Sequence, residues 1–274
     1  MKILRVACVQ LSSSDDVAAN VAATSLLIRQ AHREGAQFVL TPEMTSFMDV
    51  RPGALQAKTQ GETSHEALEA FQALARELSL WLLIGSMSTL VQNGKCANRS
   101  FLIAPSGEIA ARYDKIHMFD VDIGDGQTYR ESDSYQPGRN AVVADLPNAR
   151  LGMTVCYDVR FGQLFRRLAQ AGAEILCVPA AFTKLSGAAH WHVLLRARAI
   201  ENGAFVMAAG QCGTHPDGRQ TYGHSLIIGP WGEIIAEAGD EPCVIMADLD
   251  LGEVAAARGR IPALRHDRDY APPS

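Results

Sequence analysis

Short apolar runs and amphipathic segments alternate along almost the whole chain, and this alternation restricts the fold more than any other feature. Apolar runs such as 3–10 and 36–40 predict buried strands, whereas 16–34 and 64–78 carry apolar residues at helical spacing. Such alternation is typical of an α/β fold. Because no linker-like break interrupts it, we interpret residues 1–274 as one domain.

Two segments, 100–109 and 225–234, resemble each other as strand, Pro-x-Gly turn and strand. The turns are Pro105-Ser106-Gly107 and Pro230-Trp231-Gly232. In each turn the proline fixes φ at the first position and the glycine allows a positive φ two residues later, so both segments predict hairpins. Chance is the alternative, because such turns are common. If the likeness reflects two similar halves, each with a sheet and outer helices, the halves would pack sheet against sheet.

The remaining elements follow from the same patterns. Further strands are predicted at 81–87, 100–104, 108–113, 141–146, 151–155, 174–179, 204–210, 225–229, 233–237 and 244–249, and further helices near 163–171 and 190–202. Ser64 is predicted to cap the helix over 64–78, and Gly203 to end the helix over 190–202. The polar segment 116–140 is too long for an ordinary loop, which indicates a functional loop or hidden structure.

Composition excludes several classes of protein. With 47% hydrophobic residues the chain can build a core, and a net charge of −5 without a basic stripe argues against a nucleic-acid partner. No apolar run approaches the roughly 18 residues of a membrane helix, and no signal peptide is expected. Six cysteines without a CxxC pair indicate reduced thiols and a cytoplasmic location. We expect a small-molecule partner, and neither nucleic acid nor membrane.

Cys156 stands where the apolar run 151–155 gives way to a polar turn, the position at which α/β enzymes often carry their chemistry. A buried core thiol is the alternative, because free cysteine is among the most buried residue types. A thiol pKa of about 8.5 means that a nucleophile needs a base or a cation nearby. His117, His190 and His224 follow strands or begin helices, so a Cys-His-Asp triad is conceivable, but spacing does not choose among them.

Two charged residues offer a better set with Cys156. Glu43 follows an apolar strand and Pro42, and Lys115 also ends a predicted strand. Each alone is most often a surface charge. Together the three strand ends supply a nucleophile, a base and a cation.

The order and flanks of these residues resemble the nitrilase superfamily of carbon–nitrogen hydrolases over nearly the whole chain. The matching segments are Ala7-Cys8-Val9-Gln10, Pro42-Glu43, Lys115-x-His117, Cys156-Tyr157-Asp158-x-Arg160-Phe161, Arg196 to Asn202 and Pro230-Trp231-Gly232. The resemblance implies a four-layer αββα sandwich and assembly into homodimers or larger homo-oligomers. It also implies a second glutamate before a Pro-Gly pair, a position that Glu131 occupies.

The resemblance implies acyl transfer through a thioester. Glu43 takes the proton of Cys156, the sulfur attacks an amide carbonyl, and Lys115 with the backbone N–H of Tyr157 stabilises the oxyanion. Ammonia leaves, and water activated by Glu43 hydrolyses the thioester. Glu131 orients Lys115 or the substrate amide, unless its role is purely structural. No cofactor is required.

Short segments narrow the substrate class. They are Phe119-Asp120-Val121-Asp122, Arg130-Glu131-Ser132, Ala181-Phe182-Thr183, Ala189-His190-Trp191 and Gln211-Cys212-Gly213, and they are most similar to amidases acting on deaminated glutathione. The alternatives are an omega-amidase acting on α-ketoglutaramate, a nitrile hydrolase, and a binding protein without activity. Lys184-Leu185-Ser186 departs from the pattern of these amidases and would border the pocket.

A substrate with an α-keto carboxylate requires a cation, for which Arg160 is one candidate and Arg130 and Lys184 are others. Arg160 could instead form a structural pair with Asp158 or lie in a dimer contact. Phe182 and Thr183 follow the strand beside Cys156 and are expected to line the pocket.

No metal site is expected at His190-x-His192, because residues two apart on a helix point in different directions.

Overall fold

Two β-sheets lie face to face, and helices cover their outer surfaces. The computed structural model describes residues 3–49, 51, 53–91, 94–124, 128–271 and 273. The strands are β1 (Ile3–Gln10), β2 (Phe38–Leu40), β3 (Gln60–Gly61), β4 (Trp81–Leu90), β5 (Cys96–Ile103), β6 (Ile109–Asp114), β7 (Asp120–Asp122), β8 (Thr128–Arg130), β9 (Val142–Asp145), β10 (Arg150–Met153), β11 (Ile175–Cys177), β12 (Phe205–Ala208), β13 (Cys212–Thr214), β14 (Gln220–Tyr222), β15 (Leu226–Ile228), β16 (Ile234–Glu237) and β17 (Cys243–Asp250). The helices are α1 (Val17–Arg33), α2 (Ala54–Lys58), α3 (Glu66–Leu78), α4 (Gly162–Gln170), α5 (Lys184–Asn202) and α6 (Gly252–Arg260).

The two sheets have the same pattern of strand pairing. The first runs β17-β1-β2-β4-β5-β6, with β3 added beside β4, and the second runs β9-β10-β11-β12-β15-β16. In both, the successive pairs are antiparallel, parallel, parallel, antiparallel and antiparallel. The chain therefore contains two structurally similar halves, and the αββα sandwich expected from the resemblance is confirmed.

Strand β1 shows how one sequence serves two layers. Val6 and Cys8 pack into the large apolar cluster that includes residues of both sheets, whereas Ala7 and Val9 pack with residues of α1 and α3. Alternate residues of a strand point to opposite faces, so a strand buried on both faces is apolar throughout. This explains the continuous apolar run at the start of the chain.

Both predicted hairpins are present and occupy equivalent places in the two sheets. Gly107 and Gly232 have φ of 82° and 90°, as the Pro-x-Gly turns require. Each hairpin also has a register shift, between Leu102 and Ile103 in one and between Ile227 and Ile228 in the other. These shifts fall at matching positions of the two segments, so the sequence likeness is structural.

Two predicted details are wrong. Ser64 does not cap α3: it lies in a short 3-10 turn, and the residue before the helix is His65, whose side chain makes no capping hydrogen bond. Helix α5 begins at Lys184 instead of His190. Its first turns contain Gly187, a residue that usually weakens a helix, but here a side chain at this position would meet Tyr222 at 2.4 Å. Gly187 therefore permits close packing inside a helix that continues through it.

The ends of strands β2 and β11 approach each other at one point between the sheets. A Cβ atom at Gly85 would lie 2.0 Å from the carbonyl oxygen of Thr41 and 2.4 Å from the Cβ of Pro179. Glycine is the residue that permits this approach. The approach brings the residues after the two strands, Glu43 and Ala181, to the same edge.

Within the described part of the chain, no helix combines the length and apolar character needed to span a bilayer. All six cysteines are free thiols, in agreement with the expectation from their spacing.

Candidate active site

A cavity of about 420 Å³ opens at the edge where the strand ends meet. Its walls contain eight of the residues selected from the sequence: Glu43, Lys115, Arg130, Glu131, Cys156, Tyr157, Phe182 and Thr183. These side chains come from both halves of the chain.

Cys156 is the first residue of a 3-10 turn, Cys156–Arg160, and follows the end of β10 by three residues. Its φ is 49°, an uncommon conformation for a residue with a side chain. Its backbone N–H donates to the carbonyl of Pro179 at 2.8 Å, and the preceding N–H of Val155 donates to Oδ2 of Asp158 at 2.8 Å. These contacts hold the strained turn, and the thiol is 7% exposed.

Asp158 ties the cysteine turn to the segment that carries Lys115. Its fully buried carboxylate accepts hydrogen bonds from the hydroxyl of Tyr113 at 2.6 Å and the backbone N–H of His117 at 3.1 Å. The Nδ1 atom of His117 lies 2.7 Å from Oδ1. Tyr113 and His117 flank Lys115, so one carboxylate positions the nucleophile turn and the cation together.

Glu43 occupies the centre of the polar cluster. Oε1 accepts from Nζ of Lys115 at 2.9 Å and from Nδ2 of Asn98 at 2.8 Å, and Oε2 accepts from the backbone N–H of Ala181 at 2.8 Å. Cys156 lines the same cavity, and its thiol and this carboxylate shift each other's pKa. Three hydrogen-bond donors therefore orient the carboxylate of Glu43 in the cavity that also contains Cys156.

Lys115 bridges two glutamates. Its ammonium is 2% exposed and lies 2.9 Å from Oε1 of Glu43 and 2.8 Å from Oε2 of Glu131. Glu131 also accepts from the backbone N–H of Phe119 at 2.7 Å and from Asn98 at 3.0 Å. Of the two contacts expected for Glu131, the structure shows the one to Lys115.

Burial and charge set the protonation states of this cluster. Burial favours a protonated Glu43, but the charge of Lys115 and the hydrogen bonds from Cys156, Lys115 and Ala181 together hold its pKa below the usual range. Burial, followed by the charge of Glu43, raises the pKa of the Cys156 thiol well above its ordinary value. Burial would lower the pKa of Lys115, yet Glu131 and Glu43 raise it well above its ordinary value. The resting site thus holds a thiol, a carboxylate and an ammonium ion.

Two donors are available for an oxyanion. The backbone N–H of Tyr157 belongs to the first residues of a 3-10 turn, where N–H groups lack partners within the turn. The ammonium of Lys115 lines the same cavity. A carbonyl carbon attacked by Cys156 would place its oxygen within reach of charge-assisted and backbone donors.

The cations predicted for the substrate carboxylate differ in position. Arg130 lines the cavity, whereas Arg160 and Lys184 are not among its lining residues. The guanidinium of Arg160 lies 5.9 Å from the ring of Tyr157 and 5.3 Å from that of Phe182, and within 3.3 Å of Nδ1 of His190. Its role toward substrate stays a prediction.

The three histidines considered as bases have other partners. His117 contacts Asp158, His190 contacts Arg160, and His224 contacts Glu237 at 3.1 Å. Because Glu43 lines the cavity with Cys156, whereas these histidines are not among its lining residues, the geometry favours the carboxylate as the base.

Sequence reasoning missed the residues that orient Glu43. Asn98 is 1% exposed, but Arg99 and Ser100 follow it in β5, so the sequence does not mark it as a buried amide. The Nε2 atom of Gln211 donates to the backbone carbonyl of Glu43 at 2.9 Å. The contact from the N–H of Ala181 leaves no trace in the sequence, because any residue can supply it.

One cluster could hold a metal ion. His192, His224 and Glu237 place three possible ligand atoms within 4.8 Å of one another. The argument from His190-x-His192 did not reveal it, because the partners of His192 are distant in sequence. These residues do not line the cavity of Cys156, and the cluster already satisfies its own hydrogen bonds, at 2.9 and 3.1 Å.

The fold and this site define a hydrolase of carbon–nitrogen bonds. The family model described as carbon-nitrogen hydrolase matches residues 5–259, so the chain belongs to that family and the resemblance to the nitrilase superfamily is confirmed. It is an enzyme that acts on carbon–nitrogen bonds other than peptide bonds.

Three known proteins illustrate the similarity. The deaminated glutathione amidase of Yersinia enterocolitica is 41% identical over 271 residues, which cover 98% of this chain and 94% of that protein. The omega-amidase NIT2 of Homo sapiens is 34% identical over 98% of this chain and 96% of that protein. A solved variant of the amidase from Nesterenkonia sp. AN1 carries the acetamide moiety of fluoroacetamide covalently added at its active-site cysteine. It superimposes with a TM-score of 0.83 at 26% identity, covering 97% of this chain and 94% of that one.

Proposed function

We propose that this enzyme is an amidase that forms a thioester on Cys156. The observation that carries the proposal is Glu43, an ionised carboxylate that contacts both the Cys156 thiol and the Lys115 ammonium. The covalent adduct at the active-site cysteine of the Nesterenkonia amidase supports a cysteine nucleophile in this fold.

The geometry supports the following sequence of steps. The thiol proton passes to Glu43 while sulfur bonds to the amide carbon, and the oxygen gains charge facing Lys115 and the N–H of Tyr157. The C–N bond then breaks, and the nitrogen takes the proton from Glu43. Glu43 next removes a proton from water, which attacks the thioester, and the proton returns to the departing sulfur. Glu131 positions Lys115 throughout.

Deaminated glutathione is the substrate that the similarity to the Yersinia enzyme favours. Its scissile amide joins an α-ketoglutaryl group to the amine of cysteinylglycine, so the amine released is the dipeptide. The expectation of ammonia therefore applies only to a primary amide such as α-ketoglutaramate, the omega-amidase alternative. Both substrates give α-ketoglutarate as the acid product, whereas the nitrogen product distinguishes them.

We also propose that the enzyme is a cytoplasmic homo-oligomer. Apolar side chains are exposed along one side of α5 and at the turn after β15: Val193 is 69%, Ile200 54% and Trp231 55% exposed. Exposed apolar residues that adjoin one another are typical of subunit contacts, and Ile200 contacts the turn at Gly232.

The test compares the wild type with Cys156→Ala and Lys115→Ala. Release of α-ketoglutarate is measured from deaminated glutathione and from α-ketoglutaramate, and release of ammonia is measured from a nitrile. Mass spectrometry after an acid quench reports the acyl group on Cys156. We expect no turnover in Cys156→Ala and a loss of roughly 10²–10³-fold in kcat for Lys115→Ala, the effect of removing an oxyanion donor. Lys95→Ala removes an exposed lysine and serves as the control.

Absence of turnover of any amide by the wild type, together with no acyl group on Cys156, would show the proposal to be wrong. Faster release from α-ketoglutaramate than from deaminated glutathione would change the substrate and leave the mechanism intact.

A further inference from the structure

We propose that Arg219 forms a subsite for a carboxylate on the amine side of the substrate. This inference rests on the proposed function and adds a residue that was not selected from the sequence. Arg219 lies in the connection between β13 and β14 and lines the cavity that contains Cys156.

The connection that carries Arg219 is held firmly. The backbone N–H of His215 donates to the carbonyl of Arg219 at 2.9 Å, and the N–H of Arg219 donates to Oδ1 of Asp217 at 2.9 Å. The buried ring of His215 lies 2.8 Å from the carbonyl of Ser13 and 2.7 Å from Oγ1 of Thr221. The arginine is therefore displayed from an ordered turn.

Within the described residues, no carboxylate forms an ion pair with the guanidinium of Arg219, although Oδ1 of Asp217 accepts its backbone N–H. The Nε atom of Arg219 is buried without a hydrogen-bond partner among these residues. The guanidinium lies 5.2 Å from the ring of Tyr129, a weaker compensation. A buried donor without an acceptor is costly, so a ligand carboxylate would improve the energy of this group.

The other cations of the cavity are already engaged. Lys115 lies between two glutamates, and Arg51 is paired with Asp49 at 2.8 Å and with Asp15. Arg130 is exposed and donates to the backbone carbonyl of Tyr129 at 2.7 Å. Among the lining cations, Arg219 thus combines partial burial with an unused donor.

Aromatic rings of the cavity wall lie between Arg219 and the turn that carries Cys156. A row of rings connects it to the nucleophile turn: Tyr129 lies 5.0 Å from Phe119, which lies 5.2 Å from Tyr157. Arg160 lies at the other end of this row, directly beside Tyr157. A two-residue amine extends roughly 7 Å beyond the scissile bond, at about 3.5 Å per residue. The terminal carboxylate of cysteinylglycine therefore reaches farther than the keto-acid carboxylate of the acyl group.

The experiment removes the charge on each side in turn. Wild type, Arg219→Gln, Arg219→Lys and the exposed control Arg33→Gln are assayed with deaminated glutathione, with its C-terminal glycinamide analogue and with α-ketoglutaramate. We expect the wild type to prefer the acid over the glycinamide by about 10- to 100-fold in kcat/KM, mainly through KM. Arg219→Gln should lose this preference. Arg219→Lys should keep part of it, because lysine retains the positive charge but lacks the paired N–H donors of the guanidinium.

Other outcomes overturn the inference without affecting the amidase proposal. A wild type that treats acid and glycinamide alike would show that no carboxylate subsite exists on the amine side. An Arg219→Gln variant whose kcat/KM falls equally for all three substrates would show that Arg219 has a structural role. Failure of the proposed function is recognised separately, as a wild type that turns over no amide.

Discussion

The protonation states of Cys156 and Glu43 determine how the free enzyme responds to pH. A thiol with an ordinary pKa of about 8.5 is half ionised at that pH, but burial and the adjacent carboxylate raise the pKa of Cys156 well above this value. In the proposed mechanism, the thiolate therefore forms during attack, by proton transfer to Glu43, and is not present beforehand.

This predicts a specific titration. The ultraviolet absorbance of thiolate, measured as the difference between wild type and Cys156→Ser, should not rise as the pH passes through about 8.5. On the acid side the lowered pKa of Glu43 keeps the base ionised, so kcat/KM should fall only when the pH drops below about 4.3, the ordinary value for glutamate. A thiolate signal that appears at or below neutral pH would contradict the assignment of Glu43 as the base.

Candidate site residues could be predicted from the sequence where the signal lies in their immediate neighbours along the chain. Glu43, Lys115 and Cys156 each follow a strand, and that pattern was readable along the chain. Asn98, Ala181 and Arg219 belong to the same cavity or cluster only because strands far apart in sequence are brought side by side. Their partners depend on tertiary packing, which spacing does not encode.

At the scale of elements, turn chemistry proved more informative than helix boundaries. The Pro-x-Gly hairpins could be predicted because proline and glycine restrict the backbone locally. The start of α5 could not, because Gly187 is a packing residue there, with Tyr222 of β14 against its backbone. Part of the segment 116–140 forms the strand pair β7-β8 and a 3-10 turn, while residues 125–127 lie outside the described residues.

The packing of α5 against β14 predicts opposite effects for two helix glycines. Gly187→Ala should destabilise the protein by about 1–3 kcal/mol, because the added methyl group overlaps Tyr222. Gly259→Ala in α6 meets nothing within 4 Å, and should stabilise by up to about 1 kcal/mol through helix propensity. Chemical denaturation of both variants is the measurement. Equal effects of the two substitutions would show that propensity, and not contact with Tyr222, governs position 187.

At the scale of the whole molecule, the groups that we propose to be catalytic are divided between the two similar halves. Glu43 and Lys115 follow β2 and β6 of the first sheet, and Cys156 follows β10 of the second. The site exists only where the sheets face each other. The similarity of the two Pro-x-Gly hairpins allowed two similar halves to be predicted from the sequence. The order of the strands within each sheet became known only from the structure.

Strand β17 returns to the first sheet after the second sheet is complete, and all eight residues of β1 pair with it. A chain ending at residue 242 should therefore leave β1 as an open, apolar edge and accumulate as insoluble aggregate. A chain ending at Arg268 lacks only residues 269–274, whose described members are exposed, and should stay folded. Solubility after expression and circular dichroism of the soluble fraction compare the two. A soluble, folded product ending at 242 would show that β17 is dispensable.

During synthesis, β1 is made long before its partner β17. Synthesis at about 5–20 residues per second separates the appearance of β1 from that of β17 by roughly ten to fifty seconds. During this interval β1 has no partner on one side, although β2 can already cover the other. The first sheet is therefore completed only after the strands of the second sheet have been made, and slower synthesis lengthens the exposure of β1 to chaperones and to aggregation.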